Sequence, residues 1–594
     1  MWKPRTGNTG RLNFQASVTE VFREGLRLTM VAARTAALTT GLSCAVLSLW
    51  AQGAGSLSGG RLQEITIDNH FSLDSNQLSS GPDRAAYLGE AISDHLWVVP
   101  SMASSPGQFG AYFKTRVVVT NPTSNSFQVG VSLFNASGKV RDSVLSLNSK
   151  QTLSWNDFLG EALGYTGAGA VVFDTWLGAA TGPVGNRIIL TAEVYSDSPN
   201  GRFKTVVNRG VLWRQFVPNS EPYNAGITVN AVERTNIGAF NPSTSPNQVT
   251  AQVYSSTGTL VETIVIDLPA QGWGQRAVTE QVTNGCIKWK LTGPAYLYAV
   301  TVNNQSNDGT MLTAVQYNGD AALDQGELTA SEVTEGGRLQ EISSFGDEEV
   351  VKLSQPGGPE KQALGSVAQA YYTVPSMASA PGQFGAYFKT KVVITNDTKY
   401  SYPIYATLYN NGGLVKRVSI QMAAKKTLYW DDFLAQAMGY TGAGAVIFDS
   451  WYGPTGGSWN YIFLLTAEVY SESPGGKYKT VVSDGPEWVR QSKENIPYNI
   501  GINVNAQERT NIGVFNFRST ASLTVKAEVF DGSGALVETF QFNLGPRAWE
   551  QKALTVPVTN GTVKWTLADA GYLYAVTVDN KSNDGTMMPA VDHH

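Results

Sequence analysis

At 594 residues the chain is too long for one ordinary core, and its length suggests roughly four domains. Hydrophobic residues make up 42% and charged residues only 15%, a balance that suits short strands and turns and excludes long helices with charged outer faces. Net charge is −5, or −9 without the basic first 51 residues (37 Lys+Arg against 46 Asp+Glu), and an acidic body with no Lys/Arg cluster excludes nucleic acid as a partner.

Residues 35–50 form an apolar, uncharged run after Arg34, and the small-residue exit Ala51, Gln52, Gly53, Ala54 follows. This reads as a secretory signal peptide over 1–54, cleaved after Ala51 or Gly53, with Met30 as an alternative start. The run is shorter than the roughly 20 apolar residues of a membrane span. Cys44 has Gly41 where a lipobox wants Leu, so lipidation is not expected. Export then leaves one cysteine, Cys286, which between Gly285 and Ile287 reads as a small buried hydrophobe.

A leader over 55–96 precedes the first of two long repeats. Val98 to Thr115 reads VVPSMASSPGQFGAYFKT and Thr373 to Thr390 reads TVPSMASAPGQFGAYFKT, with 16 of 18 positions alike at an offset of 275. The offset holds for Gly164–Ala170 against Gly439–Ala445 and for Glu233–Gly238 against Glu508–Gly513. Inside each copy a fainter repeat has an offset of 120, matching Thr115–Pro122 to Thr235–Pro242. The unit is therefore used four times: 97–218, 219–318, then a 319–370 linker, 371–494 and 495–594.

In the second unit the expected strands are Thr235–Asn241, Val249–Ser255, Leu260–Leu268, Trp273–Val278, Cys286–Leu291, Tyr296–Asn303 and Met311–Val315. Short strands with frequent turn signals and period-2 alternation predict an immunoglobulin-like sandwich. The fold class is all-β: tandem immunoglobulin-like β-sandwiches in two copies of a two-sandwich unit. Asn156–Gly164 and Asp431–Gly439 predict short helices capped by Asn156 and Asp431, with Phe158 and Leu159 inward.

Two motifs carry a resemblance. Pro106-Gly107 leads to Thr-x-Val-x-x-x-Asn-Pro at Thr115–Pro122, and Val302-Asn303-Asn304-Gln305-Ser306-Asn307-Asp308 follows a closing strand. The second copy has Pro381-Gly382 to Asn396 and Val578 to Asp584. The chain resembles large exported β-sandwich proteins of environmental bacteria, built from tandem immunoglobulin-like repeats. The resemblance implies fold and export and brings no chemistry with it. Copy two departs where Asp397 and Phe517 replace the Pro of the Asn-Pro turn, which puts the tightness of those turns in question.

Chemistry-bearing residues are sparse. The four histidines are His70, His95, His593 and His594, so a nucleophile–histidine arrangement would have to draw on the leader. Glu193 and Glu468 sit in Thr-Ala-Glu-Val-Tyr strands, and alternation turns them outward, as solvated residues rather than a glycosidase pair. Asp157 and Asp432 fit helix capping, and Asp174 and Asp449 fit solvent or a turn. The Asn/Asp loops offer oxygen ligands for calcium at Asn303, Asn307, Asp308, Asp579, Asn583 and Asp584, or form ordinary turns. Tyr165, Trp176, Tyr440 and Trp451 are candidate sugar-stacking residues, with core packing as the plainer reading. Tyr112, Phe113, Tyr387 and Phe388 also lie near turns.

The expectation is an exported, non-catalytic structural or adhesive protein, secreted or at the cell surface, with linked sandwiches giving reach and a duplicated unit giving multivalent contact. A carbohydrate-binding accessory protein is the alternative, and a glycoside hydrolase stands behind both. No cofactor is expected, with calcium as the one candidate ion. Partners would be an extracellular polymer, a glycan or a protein, and self-association is left open.

Overall fold

Alternating apolar residues give strands because successive side chains point to opposite faces. The computed structural model describes residues 96–175, 188–198, 201–208, 215–316, 339–341, 371–450, 463–473, 476–483 and 491–593, all within the compact unit Gly59–His594. The signal peptide, Trp176 and Trp451 lie outside the described residues.

The first sandwich holds β1 (Leu96–Pro106), β2 (Tyr112–Thr120), β3 (Phe127–Asn135), β4 (Gly138–Leu147), β5 (Thr152–Trp155), β6 (Gly167–Asp174), β7 (Ile189–Ser198) and β8 (Gly201–Asn208). One sheet runs β4-β3-β6-β1 and the other β5-β2-β7-β8. β1 joins them, pairing with β6 from Leu96 to Ser104 and with β2 from Ser104 to Pro106, with a bulge between Val99 and Met102. It lies beside β6, where an immunoglobulin domain places its last strand.

The second sandwich repeats this order with β9 (Pro222–Val229), β10 (Glu233–Phe240), β11 (Asn247–Tyr254), β12 (Leu260–Leu268), β13 (Trp273–Ala277), β14 (Val282–Leu291), β15 (Tyr296–Asn303), β16 (Gly309–Thr313) and β17 (Val315–Gln316). Its sheets are β12-β11-β14-β9-β17 and β13-β10-β15-β16. The third and fourth sandwiches follow the same scheme. In the segment read as linker, Leu339–Glu341 pairs with Gly413–Met422 as an added edge strand of the third sandwich.

The core follows the expected alternation, with Val249, Ala251 and Val253 of β11 fully buried. Trp289 and Trp565 fill the cores of the second and fourth sandwiches, and each Nε1 donates to a buried Asn, Asn224 or Asn499, at 2.8 Å. The helical turns are Phe158–Ala162 and Phe433–Gln436. Their caps fall one residue later than expected: Asp157 accepts from Gly160 N and Asp432 from Ala435 N. Phe158 and Leu159 are inward as expected.

β9 is an additional strand. Its Pro222, Asn224 and Gly226 read as turn residues, and it lacks polar alternation because both faces are covered. One face meets its own core. The other meets the third sandwich, where Thr466 Oγ1 donates to Ala225 O at 2.9 Å. At Gly226 (φ +86°) a Cβ would stand 3.5 Å from both Thr466 and Val393.

The sandwiches pack on one another rather than hanging as beads. Within the first half Phe134 packs beside Phe240 at 5.2 Å, and Trp273 Nε1 donates to Pro100 O at 2.8 Å. Within the second half Tyr409 packs beside Phe515 at 5.7 Å. Between halves, Lys204 pairs with Glu508 at 2.6 Å and Lys479 with Glu233 at 2.8 Å. Positions 204 and 479, like 233 and 508, are 275 apart, so these contacts are reciprocal, as in an isologous dimer interface. Phe203 and Tyr478 are themselves 275 apart, and their rings stack at 5.2 Å with 10° between planes. They mark a pseudo-two-fold axis between the halves.

Candidate functional site

The best-matched stretch between the two halves forms an exposed turn. In Pro-Gly-Gln-Phe-Gly-Ala-Tyr-Phe, Gly107 N donates to Ala111 O at 2.8 Å and closes the loop. The Phe113 ring lies against Gly107, where a Cβ would be 2.3 Å from it, so only glycine fits. Phe109 is thereby held at φ 55°, ψ 34°, a left-handed conformation that non-glycine residues rarely adopt. Its ring is 67% exposed, with Tyr112 at 42% beside it. Gly382, Phe384, Tyr387 and Phe388 repeat the arrangement, Phe384 also at 67% and at φ 55°.

Each ring has a guanidinium partner from the neighbouring sandwich. Arg234 lies 5.3 Å from the Phe109 ring centroid and Arg509 lies 5.3 Å from that of Phe384. Burial pushes both guanidinium pKa values below the ordinary arginine value. The Asn/Asp loop orients each arginine: Arg234 donates to Asn304 and Asn307 Oδ1, both at 2.9 Å. Arg509 donates to Asn580 at 3.0 Å and Asn583 at 2.9 Å. Beneath the tip Ser104 Oγ donates to Asp157 Oδ2 at 2.8 Å, as Ser379 does to Asp432.

The six oxygen-rich residues singled out in the sequence thus divide their work. Asn303 Oδ1 accepts from Gln305 N, Ser306 N and Ser306 Oγ, and Asp579 Oδ1 accepts from Lys581 N, Ser582 N and Ser582 Oγ. Asn307 and Asn583 hold the arginines. Asp308 and Asp584 turn away from the loops into the junction between halves. Among the described residues no group of three or more His, Cys, Asp or Glu side chains is arranged to hold a metal ion.

Of the proposed stacking residues, Tyr165 and Tyr440 lie half-buried against the cores of the first and third sandwiches, and Tyr165 Oη accepts from Asn135 Nδ2 at 3.2 Å. Trp176, Trp451, His70, His95 and His594 lie outside the described residues. Phe109 and Phe384 carry no signal of their own in a single strand pattern. The signal is the near-identity of the two copies across a surface loop, where core packing imposes no such constraint.

The solvated reading of Glu193 and Glu468 is corrected: they are 4% and 3% exposed. Alternation does turn them away from their own cores, but another sandwich covers that face. Arg116 pairs with Glu193 at 2.9 Å and donates onward to Gly501 O at 3.1 Å in the fourth sandwich. Lys479 lies 3.8 Å from Glu468. Asp449 also has a cation, Arg417, at 3.4 Å. Cys286 is buried, and burial pushes its thiol up to about 12, far from a reactive thiolate.

No family model matches the chain, and no curated protein matches it. Among solved structures, a tetra-tandem repeat from the extending region of a large adhesion protein is similar at 11% identity, covering 84% of this chain and 99% of that one, with a TM-score of 0.09. A β-glucuronidase 2 variant of Bacteroides uniformis is similar at 7% identity over 87% and 98%, with a TM-score of 0.11. Latent PorU of Porphyromonas gingivalis is similar at 14% identity over 68% of this chain and 31% of its own, with a TM-score of 0.12. Scores this low carry no argument about what the chain does.

Proposed function

We propose that this is an exported, non-catalytic structural or adhesive protein that contacts an extracellular polymer, glycan or protein through two equivalent aromatic tips. One observation supports this reading above the rest. Phe109 and Phe384 are held exposed in a backbone conformation that costs energy, in both halves, on loops that the core does not need. An exposed ring beside a fixed arginine suits apolar and polar contact with one partner, and two copies on one body give avidity. No helix among the described residues is long and apolar enough to cross a membrane.

The carbohydrate-binding reading draws on the same rings, since Phe109 and Tyr112 are exposed and the Phe109 ring stands beside Arg234, a hydrogen-bond donor held by Asn304 and Asn307. Immobilised polysaccharides, glycan arrays and extracellular-matrix proteins test both. Phe109→Ala or Phe384→Ala alone should weaken retention on the bound surface about 10-fold or more, and the double variant should abolish it. Binding unchanged in the double variant, with a wild-type melting profile, would remove the tips from the account. Turnover of any polysaccharide by the wild type would contradict the non-catalytic reading.

A further inference from the structure

The first and third sandwiches share one strand order, but one sheet edge differs between them. In the third sandwich Leu339–Glu341 adds outside the strand Gly413–Met422, with Leu339 opposite Ile420, Gln340 opposite Ser419 and Glu341 opposite Val418. The three residues it pairs with are buried: Val418 is 2% exposed, Ser419 5% and Ile420 1%. The counterpart of Gly413–Met422 in the first sandwich is β4, 275 residues earlier, and among the described strands it pairs with β3 alone. Val144, which stands where the third sandwich has Ser419, is 41% exposed, and Val140 on the same strand is 37% exposed. An open edge that carries exposed valines is a template for one more strand.

The sequence holds a second copy of the strand that covers this edge in the third sandwich. Gly59-Gly60-Arg61-Leu62-Gln63-Glu64-Ile65 is identical at all seven positions to Gly336–Ile342. The identity stops there: over the next ten residues, 66–75 against 343–352, no position agrees. It is therefore confined to the segment that pairs and its immediate flanks. The tether matches as well. Leu62 stands 34 residues before Leu96, where β1 begins, and Leu339 stands 32 residues before Tyr371, where the matching strand begins. A tether that lets Leu339 reach its own sandwich is long enough for Leu62 to reach β4.

We propose that the open edge of β4 is a docking site for Leu62–Glu64 of the same chain, added as an antiparallel strand with Leu62 opposite Leu145, Gln63 opposite Val144 and Glu64 opposite Ser143. This is the register of the second half carried back to the first. It places Leu62 beside Leu145, which is fully buried, and gives the outer backbone groups of β4 their hydrogen bonds. The equal tethers assign the strand to its own chain rather than to a second copy. The stretch read as a leader then belongs to the first sandwich, as part of the stretch read as a linker belongs to the third. The docking does not depend on what the aromatic tips bind.

The test is disulfide trapping in the full chain carrying Cys44→Ser, with the buried Cys286 left in place. Gln63→Cys/Val144→Cys puts two thiols on directly opposed residues, at a separation that a disulfide spans. Gln340→Cys/Ser419→Cys is the control, on the pairing present in the third sandwich. Mild oxidation should link both pairs within single chains, as read by peptide mapping and non-reducing electrophoresis. Gln63→Cys/Ser146→Cys, two residues out of register, should link about 10-fold more slowly or less. A control that links while 63 and 144 do not would overturn the proposal, as would equal rates for the partners at 144 and 146. A 63–144 link that joins two chains would give the edge to a second copy and overturn it too. Should neither pair link, hydrogen exchange decides: Leu62→Pro/Gln63→Pro should speed exchange of the outer β4 amides about 10-fold, and unchanged exchange would contradict the docking.

Discussion

At the scale of the residue, one asparagine recurs in all four sandwiches with one job. Asn121, Asn241, Asn396 and Asn516 are fully buried at the end of the second strand of each unit. Asn241 Oδ1 accepts from Ser243 N at 3.0 Å, and its Nδ2 donates to Ser245 O at 2.8 Å and Pro269 O at 2.9 Å. Asn516 makes the same set to Arg518 N, Ala521 O and Gly545 O. Phe517 and Asp397 therefore do not loosen their turns, because the asparagine amide closes each one and the proline only follows it. Asn241→Ala should cost about 2–4 kcal/mol, since it strands several buried backbone groups at once, whereas Pro242→Ala should cost under about 1 kcal/mol. Chemical denaturation of the two variants measures this, and equal losses would contradict it. The importance of the asparagine was legible as an Asn-Pro turn signal, but the sequence could not say which of the two residues holds the turn.

At the scale of the element, most strands were legible from period-2 alternation, and β11 buries the face the pattern predicts. The misses share one cause. β9 and the glutamates of the Thr-Ala-Glu-Val-Tyr strands have their second face covered by another sandwich, so neither solvent exposure nor simple alternation describes them. Covering those faces moves charges into the protein. Burial alone would raise the Glu508 carboxyl, but the Lys204 ammonium and its hydrogen bond outweigh burial and pull it down to about 2. A depressed carboxyl stabilises the fold above its unfolded value near 4.5, and that contribution, on the order of 3 kcal/mol, drains away as pH falls from 4.5 toward 2. Thermal melts should show the midpoint falling through this window in the wild type. Glu508→Gln should be less stable at pH 7, because Lys204 is left buried without its partner, and should lose midpoint less steeply in acid. Parallel acid profiles for the two proteins would refute the assignment.

At the scale of the whole molecule, the duplication was plain in the sequence and its consequence was not. An offset of 275 shows that two halves are alike, but only the reciprocal pairs Lys204–Glu508 and Lys479–Glu233 show that they dock face to face. Edge strands explain why they do. Each sandwich ends one sheet in an open edge, a liability in water; Thr205 and Thr480 cap the edge of the neighbouring sandwich within their own half, at Met311 N and Met587 N, and Asp308 and Asp584 cap Lys479 N and Lys204 N across the two halves. The exposed tips are then carried on one body rather than on a string. Small-angle scattering of the chain from Gly59 onward tests this most directly. Docked halves predict a radius of gyration of about 24 Å from compact-domain scaling, and a value above roughly 35 Å, with the two halves moving apart, would contradict the account.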